Sequence, residues 1–116
     1  MEQRRYHRVT IKSVAKISLP SAERSDLFAF VGTVGRGGLE LYCQEPLMIG
    51  QDATIQLTFL DRQGRPLHET LRGTIRWRAT LGDATIAGVE FPAPIDQKDH
   101  PALWAYLAPH ESSHAP

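Results

Sequence analysis

The sequence predicts an all-β domain: six short antiparallel strands closed into a small barrel or sandwich, followed by one short C-terminal α-helix. Three observations carry this. Apolar and polar residues alternate with period two through the middle of the chain, turn-forming residues interrupt the alternation at close spacing, and only one late segment has helical spacing. Closure is expected because it removes exposed strand edges.

The first strand is read from Val9, with Val9, Ile11, Ser13, Ala15, Ile17 and Leu19 on one side and Lys12 and Lys16 on the other, and it ends at Pro20. Small and charged residues from Pro20 to Asp26 form a connection. Leu27 to Val31, too short and too β-prone for a helix, makes the second strand. The stretch Gly32-Thr33-Val34-Gly35-Arg36-Gly37-Gly38 holds four glycines in seven positions, so its backbone can take positive φ and approach another group closely. A tight turn or bulge is expected there.

Leu39 to Cys43 resumes the alternation as a third strand, and Thr54 to Phe59 is a fourth, with Ile55, Leu57 and Phe59 inward. Asp61 to Pro66 is polar and carries Gly64, which predicts a hairpin loop. The fifth strand places Leu71, Gly73, Ile75 and Trp77 on the core face, with Arg72, Thr74, Arg76 and Arg78 outward. Thr85 to Phe91 is the sixth, stopped by Pro92 and Pro94. The helix is read from Asp96 to about Leu107, capping one opening of the barrel. The domain boundaries that follow are a flexible basic arm over residues 1–8, the barrel with its helix over 9–108 and a disordered tail over 109–116.

The chain has 116 residues, which fits one domain and argues against a two-domain enzyme. Thirteen Lys+Arg balance thirteen Asp+Glu, so no global positive field draws the chain onto DNA, RNA or an anionic membrane, and any anion site must be local. A single cysteine, Cys43, excludes an internal disulfide and a multi-thiolate metal centre, and points to a reducing cytoplasm. No apolar run suggests a signal peptide or membrane insertion.

Catalytic signatures are missing, so an enzyme is not expected. The histidines form no HExxH, and His110 and His114 stand at i,i+4 spacing in a Pro-flanked tail that cannot hold metal geometry. Cys43 has no histidine at a motif spacing, serines lie in no G-x-S-x-G, and the glycine-rich stretch matches neither a P-loop nor a dinucleotide fingerprint. What remains is Arg4-Arg5-Tyr6-His7-Arg8, three guanidiniums in five residues before the first strand. Arginine presents a planar fork to phosphate oxygens or to the O6/N7 edge of guanine, and its face stacks on a base. Taken alone the cluster is also compatible with a solvated basic tail.

The arrangement resembles the PilZ domain, the receptor module for the bacterial second messenger cyclic di-GMP. That family opens with RxxxR before its first strand, matched with Arg4 and Arg8 at the motif positions and Arg5 between them. Its second motif, (D/N)xSxxG, aligns with Thr33 to Gly38, where only Gly38 matches strictly. Gly73-Thr74-Ile75-Arg76-Trp77 and the Gly-x-x-Phe ending at Phe91 resemble the family's paired late strands.

The resemblance implies a six-stranded antiparallel barrel and a non-enzymatic receptor, monomeric or weakly dimeric, that relays cyclic di-GMP to an unidentified protein partner. It also implies a ligand site made of Arg4, Arg5, Arg8, Thr33, Gly35, Arg36, Gly37 and Gly38, without a cofactor. The alternative is a PilZ-like adaptor in motility or pilus assembly that no longer binds the nucleotide. Thr33 replaces the family's Asp or Asn and Gly35 its Ser. Losing one charge-assisted and one neutral hydrogen bond weakens binding by about 30- to 2000-fold if nothing compensates. Restoring either residue, by Thr33→Asp or Gly35→Ser, is accordingly expected to tighten binding.

Overall fold

The structure, a computed structural model, describes residues 6–112, without the side chains of residues 21, 25 and 110–112. Its strands are β1 (Val9–Thr10), β2 (Ser13–Leu19), β3 (Arg24–Val34), β4 (Gly38–Cys43), β5 (Asp52–Leu60), β6 (Pro66–Leu81) and β7 (Ala84–Glu90), followed by the helix α1 (Pro101–Ser112). Every pairing is antiparallel. The order β3-β2-β5-β6-β7-β4 returns to β3, so six strands close into a barrel, and β1 is a two-residue extension on β3. The all-β barrel with a C-terminal helix expected from the alternation is the fold observed.

Inside, alternate residues of every barrel strand meet in one core that includes Ala15, Ile17, Leu41, Ile55, Leu57, Phe59, Leu71, Ile75 and Val89. Val9, Ile11, Ala15, Ile17 and Leu19 are buried as the pattern predicts, but the first strand is broken at Ile11-Lys12. Between Val14↔Phe30 and Thr10↔Thr33, four steps along one chain answer three along β3, so the ladder cannot run through. The second strand is longer than Leu27–Val31, beginning at Arg24 after Glu23 turns the chain at φ 53°.

Trp77 corrects the sequence reading. Ile75 pairs with Val89 but Trp77 pairs with Gly88, so a bulge at Arg76 shifts the parity and sends Trp77 outward, 40% exposed. Its indole lies over Gly88, where a Cβ would collide with the ring. The helix also differs from expectation. It starts at Pro101, whose missing N–H suits a first helical position, and extends to Ser112. Asp96 instead closes the preceding turn by accepting the Asp99 N–H at 2.8 Å. Leu103 and Leu107 join the core, and Tyr106 meets the edge of Phe59 with ring centroids 5.6 Å apart.

Candidate functional site

The glycine-rich stretch serves close approach rather than positive φ. Among the described glycines only Gly50, Gly64 and Gly82 have positive φ, and each sits elsewhere. Gly35 to Gly38 turn the chain from β3 into β4, closed by the Gly35 N–H donating to the Gly38 carbonyl at 2.9 Å. A Cβ on Gly35 would stand 2.8 Å from the His7 carbonyl oxygen, and one on Gly37 3.1 Å from the Tyr6 ring. A Cβ on Gly38 would collide with the Val89 carbonyl and stand 3.4 Å from Arg8 Nη2. The arm residues Tyr6, His7 and Arg8 therefore lie directly on this turn, and only glycine lets them come so near.

Arg36 fastens the turn to the chain leaving the barrel. Its Nε donates to the Ile95 carbonyl at 2.9 Å, while the Ile95 N–H donates back to the Arg36 carbonyl at 2.8 Å. The Phe91 N–H donates to the Gly37 carbonyl at 2.9 Å. The Arg36 guanidinium also stacks 5.2 Å from the centroid of Tyr6, a cation–π contact that ties the arm to the same place. Arg36, expected as a cation beside the ligand, thus has a bracing position as well.

Of the predicted site residues, Arg8, Gly35, Arg36, Gly37 and Gly38 come together, with Thr33 half-buried on the last turn-side residues of β3. Arg4 and Arg5 lie outside the described residues, as does His114. Among the described residues no group of three or more His, Cys, Asp or Glu is arranged to hold a metal ion. No described helix is long and apolar enough to cross a membrane.

Sequence reasoning missed the neighbours of this turn on the outer wall. Glu40 pairs directly with Thr33 across β3 and β4, and with Gly88 across β4 and β7. Tyr42 lies over Gly32, where a Cβ would be 2.7 Å from the ring, and its hydroxyl donates to Glu40 Oε1 at 2.9 Å. That hydrogen bond to the carboxylate, with lesser help from burial, holds the Tyr42 phenol above its ordinary range. The i, i+2 spacing of Gly38, Glu40 and Tyr42 was the available signal, since it puts all three on one strand face. Farther along the wall, Arg76 Nε pairs with Glu90 at 2.7 Å, beside Gly38 in the ladder.

Two solved structures share this architecture. The Bacillus subtilis inhibitor of motility MotI/DgrA matches with a TM-score of 0.69 at 12% identity over 100% of this chain, which spans 55% of that protein. The PilZ domain of Escherichia coli YcgR, solved with c-di-GMP, matches with a TM-score of 0.54 at 16% identity, covering 97% of this chain and 91% of that one. No curated protein sequence matches the chain. The PilZ domain family model matches residues 2–108, nearly the whole barrel and helix, and the chain therefore belongs to the PilZ domain family.

Proposed function

We propose that this chain is a non-enzymatic cyclic di-GMP receptor that relays the bound state to a protein partner. The observation that carries this reading is the seating of the arm on the turn: Arg8 Nη2 comes close above Gly38, the strictly matching residue of the second motif. A guanidinium at that point faces the outer barrel wall, where it can grip a guanine O6/N7 edge or a phosphate. Arg4 is the other arginine of RxxxR, and the turn from Thr33 to Gly38 forms the floor. Binding the dianion neutralises the positive charge that the arm holds against the turn, which changes the surface offered to a partner.

Titration calorimetry with cyclic di-GMP tests this. Micromolar binding that disappears in Arg4→Ala and in Arg8→Ala supports the receptor, whereas silence at high micromolar ligand rejects it. The adaptor reading has its own support in an apolar outer face: Phe28 and Phe30 are 71% and 69% exposed, and Val14, the cross-strand partner of Phe30, is 50% exposed. In the receptor reading the same face is where the relay to a partner would act.

A further inference from the structure

We propose that Glu40 supplies the guanine-reading carboxylate that position 33 lacks, an inference that rests on the cyclic di-GMP reading. Thr33 and Glu40 are directly opposed in the β3–β4 ladder, so their side chains leave the same face. Opposed Cβ atoms in an antiparallel pair are about 5 Å apart, within the reach of a glutamate side chain. A carboxylate lost from β3 is therefore replaced by one from β4 at the same place on the wall.

The surroundings of Glu40 suit a guanine. Two residues back on the same face is Gly38, with Arg8 Nη2 beside it, at about 7 Å along the strand. On β7, Gly88 pairs directly with Glu40, one strand spacing or about 5 Å away, and the indole of Trp77 lies over it. Guanine offers acceptors at O6 and N7 and donors at N1–H and the 2-amino group. An arginine fork matches the first edge and a carboxylate the second, while an exposed indole offers a stacking surface. Tyr42 completes the arrangement: its ring lies over Gly32, and its hydroxyl donates to Oε1 of Glu40 and fixes the orientation of the carboxylate. Adenine has no N1–H, so this carboxylate also selects between purines.

The test is calorimetric titration of wild type, Glu40→Gln and the double variant Thr33→Asp/Glu40→Gln with cyclic di-GMP and with cyclic di-IMP, whose bases lack the 2-amino group. Glutamine keeps an acceptor for Tyr42, and thermal melting reports the fold of each variant. The expected result is that wild type prefers cyclic di-GMP and that Glu40→Gln binds it about 10- to 100-fold more weakly. The variant also loses most of the preference over cyclic di-IMP, and Thr33→Asp restores both. If wild type binds and Glu40→Gln keeps the same affinity and preference, Glu40 is not the reader and the receptor reading stands. A loss in Glu40→Gln that leaves the preference intact and is not rescued also overturns the proposal. If a folded wild type binds neither ligand, the receptor reading fails and this inference falls with it.

Discussion

The two substituted motif positions behave differently once their neighbours are known. Restoring serine at position 35 looks favourable in the sequence, yet its Cβ would press on the His7 carbonyl oxygen at 2.8 Å, a backbone atom that cannot swing aside. We expect Gly35→Ser to displace the arm and weaken cyclic di-GMP binding by about 5- to 100-fold, the equivalent of ~1–3 kcal/mol of overpacking, as read by calorimetry. Tighter binding would show that the arm sits elsewhere when the ligand is bound. At position 33 a new aspartate would stand opposite Glu40, and like charges directly opposed in a ladder repel, so its benefit belongs to the Glu40→Gln background. The close approach at the turn was legible, because a run of glycines leaves room for a neighbouring backbone, and Tyr6, His7 and Arg8 fill that room. The place of Glu40 was not legible. Alternation says that it points outward, but which residue it faces is fixed by register, and the register here turns on the irregularity between Val31 and Thr33.

Among the elements, period-two alternation located the barrel strands and most of the core, and it failed where a bulge interrupts the period. The extra residue at Arg76 is invisible in a pattern that otherwise continues through Gly73, Ile75 and Trp77 and so points the tryptophan inward. What the sequence did contain was Gly88, needed because the indole lies on its backbone. Gly88→Ala should lift that ring and cost ~1–3 kcal/mol, lowering the melting temperature by several degrees. Tryptophan emission measured in a Trp104→Phe background should shift with it. The β5–β6 hairpin gives a pH prediction of definite sign. Asp61 Oδ1 accepts the Arg65 N–H at 2.8 Å and the Gln63 N–H at 2.9 Å. Those hydrogen bonds, that to Arg65 foremost, hold its carboxyl below the ordinary range. Its folded-state pKa is thus depressed, so its contribution is present above the ordinary aspartate range and is lost as pH falls through the lower folded value. Asp61→Asn should flatten the acid limb of stability measured by denaturation between pH 5 and 2, and an unchanged limb would remove Asp61 from the account.

At the scale of the molecule, arm, turn and helix form one connected sequence of contacts. The arm lies on the turn, the turn is strapped through Arg36 to Ile95, and the segment from Phe91 to Ile95 leads into α1. The helix in turn is held by the barrel: Glu69 Oε2, on β6, accepts the N–H groups of Ala102 at 2.7 Å and Leu103 at 3.1 Å. These are first-turn donors with no partner inside the helix, and a carboxylate there also complements the positive end of the helix dipole. The capping group comes from more than thirty residues away in the chain, which is why the sequence suggested Asp96 as the start and offered no hint of Glu69. Glu69→Ala should therefore cost ~0.5–2 kcal/mol, the usual worth of a helix cap, seen as a lower melting temperature. Glu69→Gln, which keeps an acceptor without the charge, should recover part of the loss. Because Leu103 and Leu107 stay buried against the barrel, the helix is expected to remain docked in both variants. Cyclic di-GMP affinity then distinguishes a local cap from a wider coupling. Unchanged affinity in Glu69→Ala confines the effect to the helix, whereas a matching loss of affinity would mean that the strap through Ile95 carries the helix's position back to the arginine arm.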